Sequence, residues 1–193
     1  RNTTWTLGRE ASLGLAFAGI NFYDGQGFIV KRESGITSAR QLDGATICAR
    51  TGTTTELNLA DYFRSNKMTY KLVGLESSDE VRAAYDEGRC DAFSSDQSSL
   101  YGERLALKSP GDHMILPEII SKEPLGPAVR QGDVAWFNLV KWTYFALVNA
   151  EELGVTQANV EEMKTSSDPQ VRRLLGIEDA DGMAAGFGTG MGI

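Results

Sequence analysis

Between residues 45 and 96 the sequence alternates between strand and helix patterns, and this alternation constrains the fold more than any other feature. Short apolar runs rich in β-branched residues predict three strands, at 45–50, 69–75 and 90–96. Helical patterns separate them, one over 53–65 and one that begins at the capping box 77–80. Because a β-α-β-α-β order requires a parallel sheet with right-handed crossovers, we predict an α/β fold.

The first of these strands leads into a turn and a helix within a few residues. The strand pattern breaks at Thr51-Gly52, and Thr53 with Glu56 has the spacing of a capping box that opens the next helix. The first N–H groups of a helix lack partners and carry partial positive charge, so this joint suits an anion. By itself, the pattern favours an ordinary strand-to-helix joint with a good cap.

A second polar exit lies at the end of the third predicted strand, where Ser94, Ser95 and Asp96 follow apolar residues. In a parallel sheet both exits lie at the carboxyl edge, where such folds bind ligands. The first exit offers N–H and hydroxyl donors, and the second offers a carboxylate. An α-amino acid, with one carboxylate and one ammonium group, would match both. The alternative is that Asp96 only caps the helix that follows it.

The composition argues against several classes of partner. A net charge of −7 and a pI near 4.8 disfavour nucleic acid and anionic membranes, since both require a basic face. No apolar stretch reaches the ~18 residues of a membrane-spanning helix, so no direct membrane insertion is expected. The chain opens at Arg1 in a run predicted as a strand over 3–7, and it ends in a Gly-rich stretch, 182–193. These ends indicate a piece of a longer protein.

Several separated motifs resemble those of the periplasmic amino-acid-binding proteins of ABC importers, and they occur in the same order. They are Thr4-Trp5-Thr6-Leu7-Gly8-Arg9, Phe22-Tyr23-Asp24-Gly25-Gln26-Gly27-Phe28, Thr51-Gly52-Thr53-Thr54-Thr55-Glu56 and Cys90-Asp91-Ala92-Phe93-Ser94-Ser95-Asp96. Two further motifs, over 123–133 and 149–156, are similar to the general L-amino-acid-binding branch. The likeness covers about residues 1–180. Members of that family are longer at both ends and carry an N-terminal half-lobe ahead of this region.

The resemblance implies a periplasmic binding protein type II-like clamshell, with a parallel-sheet lobe and part of a second lobe. Residues 1–26 and 131–193 would belong to an incomplete lobe one. Residues 27–130 would form lobe two with the two hinge crossovers, at 27–31 and 125–129. The implied function is that of a periplasmic solute-binding protein, which captures L-amino acids and delivers them to the membrane permease subunits of an ABC importer, without a cofactor.

The resemblance also assigns roles to individual residues. Arg9 would grip the ligand carboxylate with its two-pronged guanidinium, flanked by Thr4 and the backbone of Asn2. Thr53, at the start of a helix, would hold the same carboxylate, and Asp96 would bind the α-ammonium. The rest of the expected ligand-binding set comes from the two strand exits and consists of Thr51, Gly52 and Ser95.

The two cysteines, Cys48 and Cys90, lie on the first and third predicted strands, which are neighbours in a 2-1-3 sheet order. Adjacent strands ~4.8 Å apart are compatible with the Cα separation of a disulfide, and an even cysteine count fits an exported protein. Two buried free thiols are the alternative. Metal-site spacings of Cys and His are absent, and the single histidine cannot supply a zinc set.

Two other functional classes compete with transport. Catalysis would need a nucleophile and a base, and nothing in the sequence near His113 forms such a pair, so no catalytic residue is predicted. The same fold also serves as the amino-acid-sensing module of membrane receptors, which is the alternative function. A surface pair between Arg9 and Glu10 would remove the argument for a carboxylate grip.

Overall fold

The chain folds as two compact units, seen in a computed structural model that describes residues 3–177. The first unit contains the residues up to Phe22 and from Leu125 onward. The second unit is the continuous segment Tyr23–Pro124. The lobe boundaries expected after residues 26 and 130 stay a prediction.

Strands and helices alternate along most of the described chain. The strands are β1 (Leu15–Phe17), β2 (Phe22–Asp24), β3 (Gln26–Lys31), β4 (Thr46–Arg50), β5 (Lys71–Leu75), β6 (Ala92–Asp96), β7 (His113–Ile115), β8 (Glu123–Leu125) and β9 (Ala128–Arg130). The α-helices are α1 (Leu7–Leu13), α2 (Thr54–Ser65), α3 (Ser78–Asp86), α4 (Gln97–Leu105), α5 (Val134–Glu152), α6 (Val160–Met163) and α7 (Pro169–Leu175). Strands β2 and β8 pair with each other in a two-stranded sheet.

A five-stranded sheet with the order β5-β4-β6-β3-β7 forms the second unit. Strand β4 pairs in parallel with β5 and β6, whereas β3 pairs antiparallel with β6 and β7. The parallel part has the predicted 2-1-3 order, so the α/β fold inferred from the β-α-β-α-β pattern is confirmed. Residues 27–31, expected to be an extended hinge crossover, form most of β3, and the apolar run Phe28-Ile29-Val30 is fully buried.

Alternate side chains of β3 enter two different cores. Phe28 and Val30 pack in one core with Phe63 of α2, and Ile29 packs in the other with Tyr85 of α3. Successive side chains of a strand point to opposite faces of its sheet, so helices cover both faces of this one. Burying each side chain of this kind stabilises the folded state by roughly 1.5–3 kcal/mol.

A disulfide joins Cys48 of β4 to Cys90, with the two Cα atoms 5.6 Å apart. Cys90 lies just ahead of β6 rather than within it. The neighbouring Asp91 N–H donates to the Thr46 carbonyl at 2.8 Å, which holds this turn against β4. The predicted bridge is therefore confirmed, and the alternative of two free thiols is wrong.

In the first unit, β1 pairs antiparallel with β9, and α1 precedes β1. The strand predicted over residues 3–7 is wrong, since only an isolated bridge at Thr4 remains of it. The Thr6 hydroxyl instead accepts the Arg9 N–H at 3.2 Å and caps α1, and Gly14 ends that helix with a φ of 63°. These local cap bonds outweigh the β preference of the threonine-rich run.

The longest helix, α5, begins where the Asp133 carboxylate accepts the Trp136 N–H at 2.9 Å. It has no buried residue, and several of its large apolar side chains are exposed, namely Val134, Trp136, Trp142, Phe145, Leu147 and Val148. Tyr144 of the same helix donates its hydroxyl to the Ile20 carbonyl at 2.5 Å. Within residues 3–177, α5 and every other helix fall short of the length and apolarity needed to cross a bilayer.

Candidate functional site

The exit from β4 is a tight turn formed by Thr51, Gly52 and Thr53. Gly52 has a φ of 67°, which glycine adopts without strain, and its N–H donates to Glu56 Oε2 at 3.0 Å. The Thr53 hydroxyl donates to the Arg50 carbonyl at 2.8 Å. The Thr51 N–H donates a hydrogen bond to the last carbonyl of β5. Each of the three residues therefore makes a hydrogen bond that holds the turn.

The predicted capping box between Thr53 and Glu56 is wrong. Thr53 is the N-cap residue of α2, but its side chain makes no cap hydrogen bond. The reason is that both side chains bind the backbone ahead of the helix. Thr53 donates to the Arg50 carbonyl, and Glu56 accepts the Gly52 N–H. The first N–H groups of α2 are therefore not satisfied by a side-chain cap, which is the arrangement that suits an anionic ligand.

Ser95 and Asp96 form the exit from β6. They lie opposite Gly27 and Gln26 of β3 in the sheet register. Asp96 occupies the N-cap position of α4 and is half-buried, but its side chain makes no cap hydrogen bond. The alternative reading of Asp96 as a helix cap is thus wrong.

Asp24 of β2 binds the start of α4 instead. Its Oδ1 accepts the Gly25 N–H at 2.8 Å and the Ser98 N–H at 3.3 Å, and its Oδ2 accepts the Ser98 hydroxyl. This carboxylate satisfies the first turn of the helix from a different strand. The Asp96 side chain consequently has no capping role there.

The two exits lie at one edge of the sheet. Strands β4 and β6 run parallel as direct neighbours, with Ile47 opposite Ala92 and Cys48 opposite Phe93. Since parallel strands end on the same side, the turn 51–53 and the pair 95–96 meet at the carboxyl edge of the second unit. The structure brings together five of the eight predicted ligand-binding residues in this way.

A buried polar layer supports this edge, and no local sequence pattern predicts it. Gln26 is fully buried, and its Nε2 donates to the Thr55 carbonyl at 3.1 Å and to Ser94 Oγ at 2.9 Å. Ser94 in turn donates to the Gly27 carbonyl at 2.8 Å. This chain of bonds ties the first turn of α2 to β6 and β3.

A second buried polar group that was not predicted is Glu123 of β8, which is 2% exposed. Its carboxylate accepts hydrogen bonds from Thr54 and Asn58 of α2 and from Ser121. The helical partners lie 69 and 65 positions away in the sequence, so no local pattern points to them. A glutamate within an otherwise apolar strand sequence was the one signal available.

The remaining predicted residues belong to the first unit. Thr4 is buried, and its carbonyl accepts a hydrogen bond from Arg9 Nη1 at 2.7 Å. Among the described residues Arg9 forms no salt bridge, so the expected alternative pair with Glu10 is absent there. Asn2, the other predicted member, lies outside the described residues.

Comparison with curated proteins identifies relatives over one part of their length. The chain is 60% identical over 178 residues to the general L-amino acid-binding periplasmic protein AapJ of Rhizobium johnstonii, covering 92% of this chain and 52% of that protein. It is 51% identical over 188 residues to the glutamate/glutamine/aspartate/asparagine-binding protein BztA of Rhodobacter capsulatus, covering 97% and 56%. The chain thus spans about half the length of the curated relatives it matches. No protein-family model matches it.

Solved structures of periplasmic binding proteins resemble this chain as well. A periplasmic binding protein of an ABC transporter from Brucella ovis, with glutathione bound, is 65% identical, with a TM-score of 0.90 over 93% of this chain and 56% of that one. An ancestral arginine-binding protein bound to arginine is 23% identical, with a TM-score of 0.65 over 83% of this chain and 68% of that one. At that identity the second likeness shows the fold alone, and it confirms the type II periplasmic-binding-protein architecture.

Proposed function

Because this chain is homologous, over about half of their length, to the periplasmic amino-acid-binding proteins of ABC transporters, we propose that it captures L-amino acids for an ABC importer. The observation that carries the proposal is the meeting of two chemically opposite exits at one sheet edge. The turn 51–53 presents the start of a helix, and the pair 95–96 presents a carboxylate. These groups complement the two charges that every α-amino acid carries.

The carboxylate of the ligand would bind at the start of α2. The backbone N–H groups at Thr53 and in the first turn of that helix would supply donors, since the Thr53 hydroxyl already donates to the Arg50 carbonyl, and the helix dipole favours negative charge at this end. Gly52 lets the backbone turn there with a positive φ, and the neighbouring Thr51 anchors the turn to β5. An anion placed here gains charge-assisted hydrogen bonds, which are stronger than neutral ones.

The α-ammonium would bind to Asp96. A desolvated ammonium requires a carboxylate partner, because an unpaired buried charge is costly. Asp96 is half-buried at the end of β6, and its side chain makes no cap hydrogen bond to α4. Ser95, the preceding residue, would line the same subsite.

In the first unit, the family resemblance gives Arg9 the role of a guanidinium fork for a ligand carboxylate. Its bond to the Thr4 carbonyl uses Nη1 and holds the side chain in a defined position. A guanidinium has five donors, so this bond leaves others for a carboxylate. Asn2 and Thr4 complete the set that the family resemblance assigns to this subsite.

The range of ligands is proposed from the relatives. AapJ is described as a general L-amino-acid binder, and BztA as a binder of four acidic and amide amino acids. The Brucella ovis structure contains glutathione, which carries an α-ammonium and an α-carboxylate at its γ-glutamyl end. Free L-amino acids are our first candidate, and γ-glutamyl peptides, which share the same head group, are the second.

The proposed location is the periplasm, and the proposed partners are the permease subunits of the importer. The disulfide between Cys48 and Cys90 agrees with an oxidising compartment. The periplasmic description of AapJ supports the same location. An amino-acid-sensing receptor module of the same fold would bind the same ligands. Unlike a transport protein, it would not stimulate transport by a permease when a ligand is bound.

Thermal unfolding with a ligand panel tests the proposal. A ligand that binds only the folded state raises the midpoint by mass action, so millimolar L-amino acids should stabilise the complete gene product that carries this sequence. Matched compounds that lack one charge, the α-amides and the decarboxylated amines, should have little effect. Equal shifts from amines without a carboxylate would contradict the proposal. Glutathione in the same panel separates the two candidate ligand classes.

A further inference from the structure

Glu123 is a buried carboxylate with no place in the ligand set proposed above. Its Oε1 accepts hydrogen bonds from Asn58 Nδ2 at 2.6 Å and from Ser121 Oγ at 2.7 Å. Its Oε2 accepts one from Thr54 Oγ1 at 3.1 Å. At least three donors of the described chain therefore surround one carboxylate that is 2% exposed.

The two helical donors define what this carboxylate holds. Thr54 and Asn58 are four residues apart on α2 and so lie on one face of the helix. Thr54 is the first residue of the helix and directly follows Thr53. A rigid group bound at both positions fixes how far the helix is rotated about its axis and where its first turn lies relative to β8.

The chemistry of the bond network argues for a geometric role. A buried charge is expensive to desolvate, and a well-packed apolar residue of similar size often serves stability as well or better. The side-chain caps that hold other helices of the described chain, such as Ser77 on α3 and Asp133 on α5, are absent from α2. Glu123 holds the start of α2 from the side, through the side chains of Thr54 and Asn58.

We propose that Glu123 is a positioning residue for the carboxylate-binding end of the site. This inference rests on the proposed function, since the first turn of α2 is the surface that would receive the ligand carboxylate. Glu123 does not touch the ligand in this scheme. It acts through Thr54 and Asn58, which keep the N–H groups after Thr53 aimed at the ligand.

The charge of Glu123 could instead affect ligand affinity in the opposite direction. Its negative charge near the start of α2 could repel an anionic ligand, in which case removing the charge would tighten binding. Two substitutions separate the effects. Glutamine keeps an acceptor for Asn58 and Ser121 and offers an N–H to the Thr54 hydroxyl, which can also accept. Alanine removes both the charge and the bonds.

The experiment measures the affinity of the complete gene product for L-glutamate and L-glutamine by calorimetry. We expect E123A to weaken binding by about tenfold or more, because a small displacement of binding groups costs affinity. E123Q should keep most of the affinity of the unsubstituted protein. N58A, which removes a single donor, should cause a smaller loss of roughly threefold and serves if E123A does not fold. The control is D43A, since Asp43 also accepts two hydrogen bonds, from Thr69, at 2.7 and 3.1 Å, but lies at the other end of β4.

Hydrogen exchange without ligand gives a second readout. In E123A the amides of the first turn of α2 should exchange faster, while those of β6 next to the disulfide should keep their protection. Unchanged affinity and unchanged exchange in E123A and N58A would overturn the positioning role, and tighter binding by both E123A and E123Q would replace it with charge repulsion. If the unsubstituted protein binds none of the amino acids tested, the proposed function itself is wrong and the positioning role fails with it. That result is visible before any variant is measured.

Discussion

The Tyr85 hydroxyl lies 2.8 Å from Nδ1 of His113, and both side chains are buried between α3 and β7. The rings also meet edge to face, with centroids 5.3 Å apart. Burial lowers the pKa of His113 from its usual value of 6.5, and although Asp86, Asp112 and Glu33 oppose that shift, they do not reverse it. Desolvation likewise raises the pKa of Tyr85. Burial therefore favours the neutral form of both side chains.

The pair predicts a pH dependence of stability. His113 takes up a proton more readily in the unfolded chain than in the folded one, so falling pH favours unfolding. The free energy of unfolding should therefore decrease as the pH falls below about 6.5, by at most about 1.4 kcal/mol per pH unit from one group. Since His113 is the single histidine, H113Q should remove this slope between pH 5 and 6.5 in urea unfolding. A slope that survives the substitution would assign the effect to other groups.

The disulfide gives a second prediction. It closes a loop between residues 42 positions apart, for which the chain-entropy treatment gives roughly 4 kcal/mol of stabilisation. Replacing both cysteines by alanine should lower the free energy of unfolding by about 2–5 kcal/mol, the range typical of removing a native disulfide, and any loss of packing at these buried positions adds to it. Urea unfolding of the oxidised protein, the reduced protein and the double variant measures it. Two free thiols in protein purified without reductant would contradict the bridge.

The fold was predictable where periodicity and order along the chain determine it. The pattern over 45–96 was enough for the parallel strands, their 2-1-3 order and the bridge between Cys48 and Cys90. The antiparallel pairing of β3 with β6 and β7 was not predicted, because a short apolar run does not reveal which element it pairs with. Strand pairing over long sequence separations is decided by the packing of the whole sheet.

The site was predictable only in part. Residue types at the strand exits indicated donors at Thr53 and a carboxylate at Asp96, and the structure puts both at one edge. The cap at Glu56 was wrong because a flexible carboxylate can reach more than one N–H group near a helix start. Gln26 and Glu123 were missed because their partners lie far along the chain, and such pairs have no local signature.

A third prediction concerns Asp96. D96N keeps the size of the side chain and removes its charge, so the ligand ammonium would lose its partner. We expect a loss of about 2–5 kcal/mol in the free energy of amino-acid binding, as when one side of a buried charge pair is removed. D91N is the matched control, because Asp91 lies at the opposite end of β6 and accepts the Thr46 N–H at 2.7 Å. An affinity of D96N equal to that of D91N would rule out the ammonium subsite.

The last prediction concerns Arg9. Lysine keeps the positive charge but has a single ammonium group in place of the planar fork, so R9K should lose the paired hydrogen bonds to the ligand carboxylate. The substitution also removes the bond from Nη1 to the Thr4 carbonyl, which should cost about 1 kcal/mol of stability in the unliganded protein. Binding should fall by more than this, by about 1.5–3 kcal/mol for charge-assisted bonds.

R130K separates the binding effect from a general effect of losing a guanidinium, since Arg130 is exposed on β9 of the same unit. Calorimetry with L-glutamine and unliganded thermal unfolding should be run on both variants of the complete gene product. We expect R130K to match the unsubstituted protein in both measurements, whereas R9K should lose most in the binding measurement. If R9K binds as tightly as R130K, then Arg9 only anchors Thr4, and the ligand carboxylate is held by the start of α2 without it.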